Sequence, residues 1–124
     1  MTARYYVAAA AVVLSSASFG ANDRLSMKVT PSVSFAPANL IVQATVSADN
    51  ANRSIEIVAE SEEFYRSSEM QLDGDRAPHT TRFEFKSLPS GQYDVRAVLK
   101  GVGDKELATV QSHVDVVESG SIVR

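Results

Sequence analysis

At 124 residues, with a formal charge of −3 and no cysteine, the chain has room for one domain and a short appendage. The missing thiol excludes a disulfide framework, a thiolate metal site and a lipid-modified cysteine. Twelve basic residues stand singly among 15 acidic ones, which excludes the basic stripe of a nucleic-acid binder and of a protein held on anionic lipid.

The chain opens with Met1-Thr2-Ala3-Arg4, an apolar run from Tyr5 to Leu14, and the small-residue stretch Ser15-Ser16-Ala17-Ser18-Phe19-Gly20-Ala21. One positive charge, about ten apolar residues and a small-residue exit are the three parts of a secretory signal. The run is half the roughly 20 residues that a spanning helix needs. It also lacks the polar residues at helical spacing that a surface-packed helix carries. Cleavage after Ala17, with Ser15 at −3, or after Gly20, with Ser18 at −3, both present small side chains to the peptidase. The expectation is a signal peptide over residues 1–20, a domain over 21–118 and a disordered tail over 119–124. The mature protein is then secreted or periplasmic, with no membrane span.

After Leu25 nearly every segment alternates with period two, the mark of a half-buried strand. Met27 and Val29 alternate with Ser26, Lys28 and Thr30; Val33 and Phe35 continue between Pro31 and Pro37, which suggests an edge strand broken in the middle. Leu40, Val42, Ala44 and Val46 line one face of the next strand. A turn follows over Ser47 to Asn52, rich in Asp and Asn, and then Ile55, Ile57 and Ala59 alternate against Ser54, Glu56 and Glu60. The stretch from Ser61 to His79 is polar and irregular, with one weak strand around Met70 and Leu72. Phe83 and Phe85 restore the rhythm, Leu88-Pro89-Ser90-Gly91 turns the chain, and Tyr93, Val95, Ala97 and Leu99 face inward. Gly101 to Asp104 connects to a last strand with Ala108, Val110, Val114 and Val116 on its inner face. About seven strands with turn signals every eight to twelve residues predict an all-β fold, a two-layer antiparallel β-sandwich.

The segment Phe83-Glu84-Phe85-Lys86-Ser87-Leu88-Pro89-Ser90-Gly91-Gln92-Tyr93-Asp94-Val95-Arg96-Ala97 resembles the E–F region of immunoglobulin-like and fibronectin type III-like domains of secreted bacterial proteins. It is also similar to the corresponding turn of carboxypeptidase regulatory-like, transthyretin-like domains. The resemblance implies an immunoglobulin-like topology in which the Tyr93 hydroxyl bonds back to upstream backbone, the tyrosine corner. The chain departs from those families in having neither the strand-C tryptophan nor a cysteine pair. It also lacks the glycine-rich start of a carboxypeptidase regulatory-like repeat. Such folds host many functions, so the resemblance assigns none.

The motifs of catalysis are missing. Nucleophilic catalysis by serine needs a base, most often histidine, and only His79 and His113 exist. There is no Gly-x-Ser-x-Gly elbow and no glycine-rich phosphate loop. Asp73-Gly74-Asp75 and Asp49-Asn50 offer oxygen atoms suited to calcium, but such residues also build turns. Met27 and Met70 fall on core phases, so no copper site is expected, nor any other metal or cofactor. Glu60, Glu62, Glu63 and Glu69 read as a solvated acidic face. Asn52-Arg53-Ser54 fits a glycosylation acceptor pattern. Phe64-Tyr65-Arg66 places two adjacent aromatics beside an arginine in a polar loop, a contact patch for a sugar ring, a peptide or a neighbouring subunit. Its other reading is that Phe64 plugs the end of the fold while Tyr65 lies along its surface. The functional expectation is therefore an exported, non-enzymatic module that binds a protein partner at the periplasm or cell surface. The alternative is a carbohydrate or small-ligand binding domain that uses Phe64, Tyr65 and Arg66, with or without calcium.

Overall fold

The computed structural model describes residues 18–21 and 24–118; most of the expected signal peptide and the whole tail at 119–124 lie outside the described residues. The fold is all-β, as the alternation predicts. Its strands are β1 (Ser18–Ala21), β2 (Leu25–Thr30), β3 (Val33–Phe35), β4 (Ala38–Val46), β5 (Ser54–Glu60), β6 (Tyr65–Gln71), β7 (Thr80–Leu88), β8 (Gly91–Lys100) and β9 (Glu106–Val117). They form a four-stranded sheet in the order β1-β2-β4-β7 and a five-stranded sheet in the order β3-β9-β8-β5-β6. Strand β1 lies across the boundary drawn at residue 20 from sequence.

Two features correct the expected antiparallel pattern of about seven strands. The described residues form nine strands, and β3 runs parallel to β9, pairing Val33 with Asp115 and Phe35 with Val117, so the second sheet is mixed. The cause lies at Pro31, which has no N–H to extend the ladder of β2. The chain leaves the first sheet at Thr30 and joins the other. Ser32 accepts a hydrogen bond from the Asp115 N–H at 2.9 Å, and the Ala36 N–H donates to Val117 at 2.8 Å. What reads in sequence as one broken edge strand is a strand that changes sheets.

Both sheets turn their apolar phase to one core. Leu25, Met27, Val29, Leu40, Val42 and Ala44 come from the first sheet, and Ile55, Ile57, Tyr93, Val95, Leu99 and Val114 from the second. Each large side chain buried this way contributes about 1.5–3 kcal/mol. Met70 also sits on the inner phase, opposite Ile55, yet it is 39% exposed. Strand β6 is the outermost of its sheet and overhangs the core, so phase alone does not bury it. Phe35, expected to continue the apolar face, is half exposed on the short edge strand β3.

Tyr93 is the largest fully buried side chain. Its hydroxyl donates to the Pro89 carbonyl at 2.7 Å, across the turn between β7 and β8. Burial, partly offset by Ser61 and by the charge of Arg66, raises the phenol pKa above its ordinary value. The turn itself is tied down on its other side: Ser87 adopts φ of 61°, and its N–H donates to the Asn39 side-chain oxygen at 3.0 Å. That contact sits where the β4–β7 register slips between Ala38 and Leu40. Replacing Tyr93 by Phe removes one buried hydrogen bond and is expected to cost about 1 kcal/mol. Replacing it by Ala should cost about 3–5 kcal/mol, both read from urea midpoints.

Candidate functional site

The Phe64-Tyr65-Arg66 segment stands at the end of β5, where the chain reverses into β6. Ser61 closes this reversal by donating its N–H to the Phe64 carbonyl at 2.8 Å. Phe64 is partly buried against the core and meets the Tyr93 ring edge-on, with centroids 6.3 Å apart at 74°. The Arg66 guanidinium lies 5.1 Å above the Phe64 ring and donates to the Lys86 carbonyl at 2.6 Å. The three residues are thus divided in role. Phe64 plugs the end of the core, Arg66 ties the plug to β7, and Tyr65, 58% exposed, is the one turned to solvent. An open cleft of about 360 Å³ adjoins them, lined by Ser61, Glu62, Glu63, Ser90, Gly91 and Gln92.

The outer face of the second sheet holds a row of charges that the sequence does not announce. Glu60 pairs with Asp94, and Asp94 pairs with His113, so two carboxylates and an imidazole lie side by side across β5, β8 and β9. Facing like charges destabilise a sheet, and the neighbours answer this. Arg96 reaches Glu60 at 3.4 Å. The imidazole of His113 lies between two aspartates, with Nε2 2.8 Å from Asp115 and Nδ1 3.5 Å from Asp94. Burial, the largest single influence, favours the neutral ring. The hydrogen bonds to Asp115 and Asp94 and the charges of both carboxylates together outweigh it and raise the histidine pKa. A second knot lies further along the face, where facing Glu56 and Glu69 share Lys100, 3.0 Å and 3.7 Å away. Its ammonium pKa is raised, chiefly by the hydrogen bond to Glu56 and against the effect of burial.

The remaining sequence candidates fall elsewhere. Asp49 accepts from the Ala51 N–H at 2.8 Å and pairs with Arg24 at 3.1 Å. It is a turn-former already occupied. Asp73 and Asp75 flank and enter the short 3-10 turn Gly74–Arg76. Asn52 is 1% exposed and donates its side-chain amide to the Ser47 carbonyl at 3.0 Å, so the acceptor pattern at Asn52-Arg53-Ser54 is closed to glycan attachment in the folded chain. Among the described residues no group of three or more His, Asp or Glu is placed to hold a metal ion. At His113 the aspartates occupy opposite nitrogens of one ring and do not converge on a common point. No helix among the described residues is long and apolar enough to cross a membrane.

No family model and no curated protein matches the sequence. Solved structures do share the fold. A superoxide reductase (neelaredoxin) from Ignicoccus hospitalis is similar at a TM-score of 0.60 and 15% identity, over 79% of this chain and 82% of that one. A single-substitution variant of the same protein gives 0.57 and 17%, over 73% and 78%. A family 76 glycoside hydrolase from a bovine Bacteroides thetaiotaomicron strain gives 0.54 and 14%, over 81% of this chain but 20% of its own.

The expectation of a non-catalytic module, and of a chain that is no enzyme, is corrected by the first two likenesses. Reductases are built on this fold, so a small all-β shape without local catalytic motifs does not argue against catalysis. The motifs of catalysis are short-range patterns, whereas a site can also be assembled from residues on separate strands. The ligands themselves are a different matter. Electron transfer is carried by a metal or an organic cofactor. The sequence has no cysteine and two histidines, His79 and His113.

The division of the aromatic segment is testable. Phe64→Ala should lower stability by roughly 1–2 kcal/mol through lost apolar burial, while Tyr65→Ala should stay within about 0.5 kcal/mol, as exposed substitutions do. For His113, a pKa raised on folding means that the charged ring stabilises the fold in full below the unfolded value of about 6.5. That contribution is lost as pH rises through the folded pKa. The urea-midpoint gap between the parent and His113→Gln should therefore be widest near pH 5–6 and shrink towards pH 8.5.

Proposed function

We propose that this protein is an exported immunoglobulin-like sandwich of redox-enzyme type, acting in the periplasm or outside the cell on superoxide or a related small oxygen species. The observation that carries the reaction class is the likeness of fold to the two superoxide reductase structures over most of both chains. Strand order supports the immunoglobulin-like part. The run β2-β4-β7 follows the A-B-E order of such domains, and β9-β8-β5-β6 follows G-F-C-C′, with the corner tyrosine, Tyr93, near the start of the F strand. Export is supported by Arg4, the apolar run to Leu14 and the small residues that follow.

On this reading an electron carrier binds from outside the chain; among the described residues no group of three or more His, Asp or Glu is placed to hold a metal ion. Reduction of superoxide to hydrogen peroxide consumes protons as well as an electron, and His113 gives the outer sheet face a proton-bearing group. The partner implied is an envelope protein that delivers the electron. Within Phe64-Tyr65-Arg66, the exposed ring of Tyr65 is the contact open to it, and a carbohydrate is the competing occupant.

Superoxide consumption by the purified mature protein, with and without added iron, manganese or copper salts, tests the reaction class. Metal content after dialysis is measured alongside. Consumption well above buffer containing the same salt supports the proposal. Rates equal to that buffer under every condition, including addition of the host envelope fraction, overturn it.

A further inference from the structure

Sequence leaves two cleavage positions open, and strand β1 separates them. Ser18, Phe19, Gly20 and Ala21 pair antiparallel with Val29, Lys28, Met27 and Ser26 of β2. Strand β1 is the outer strand of its sheet, so among the described residues it is β1 that covers this side of β2. A cut after Gly20 discards all but one residue of β1 and leaves the edge of β2 open at Met27, Lys28 and Val29. A cut after Ala17 discards none of it. Both positions satisfy the requirement for small residues at −3 and −1, Ser15 and Ala17 in one case and Ser18 and Gly20 in the other.

We infer that the processing site is the Ala17–Ser18 peptide bond, cut by a leader peptidase selective for small side chains, so that the mature protein begins with strand β1. The inference rests on the export reading above and deepens it. Hydrolysis of that bond leaves the Ala17 carboxylate on the released leader and a new α-amino group on Ser18. The free N-terminus then stands opposite Val29, at the outer corner of the first sheet. An exposed β2 edge with unpaired N–H and C=O groups would invite pairing with other chains; retaining residues 18–21 covers it.

Intact mass and N-terminal sequencing of the protein recovered from the native host's envelope and medium decide the matter. The expected start is Ser18. Placing a large residue at −1 by Ala17→Leu should abolish the Ser18 start, whereas Gly20→Leu should leave it unchanged. As an independent measure, mature protein made to begin at Ala21 should unfold at a lower urea concentration than one beginning at Ser18. A native start at Ala21, or at any residue other than Ser18, overturns the inference while leaving export intact. Equal urea midpoints for the two forms overturn it as well. Protein found only inside the cell, with Met1 or Thr2 retained, overturns the export reading itself.

Discussion

Burial of the Tyr93 ring with its hydroxyl satisfied is the constraint on which the rest of this structure depends. A phenol placed in an apolar core needs a hydrogen-bond partner, and the Pro89 carbonyl is that partner. The requirement fixes the conformation of the turn before β8 and so aligns β8 between β5 and β9, its two neighbours. It also creates the surface against which Phe64 packs. Because Arg66 then stacks on Phe64 and reaches β7, the end of the fold closes by a chain of contacts that starts at one side chain.

The outer face of the second sheet follows a different logic. Once register is set by the core, polar residues are brought opposite one another whatever their charge. Glu60 faces Asp94, and Glu56 faces Glu69. Arg96, His113 and Lys100 answer these clashes from neighbouring positions. Such half-exposed pairs contribute little to stability one by one. Their interest lies in the histidine, whose pKa the hydrogen bonds to Asp115 and Asp94 raise against the effect of burial.

Fold and chemistry separate clearly in this protein. The two-sheet arrangement is shared with superoxide reductases and with part of a glycoside hydrolase, two activities with nothing chemical in common. An all-β scaffold asks for period-two patterning, tight turns and a satisfied core, and it leaves the surface and the strand ends free to vary. With 15% identity to the reductase, likeness of backbone says nothing about which side chains stand at any reactive position.

Much of the fold was legible in sequence because strands are a local signal. Alternation placed Leu40, Val42 and Ala44, and likewise Tyr93, Val95 and Leu99, on inward faces where they are buried. Pro89 and Gly91 marked the turn, and the ring of Tyr93 with its polar tip marked the corner. What needed tertiary structure depended on partners distant in sequence. Alternation at Met70 and Phe35 gave the phase of each side chain but not whether anything would lie over it, and at a sheet edge nothing does. Pro31 announced a break, while the transfer of β3 to the other sheet depended on the backbone of β9. Asn52 fitted a glycosylation acceptor pattern in a polar turn, yet the closing of that turn buries its amide. The row of Glu60, Asp94 and His113 had no signature at all, since its members are neighbours only through strand register. Sequence by itself determined which residues prefer strands and which side of each strand is apolar, because those are properties of a few adjacent residues. Only the tertiary structure decided which strands became edges, which charges met and which aromatic was left in solvent, because each of those depends on contacts made across the whole length of the domain.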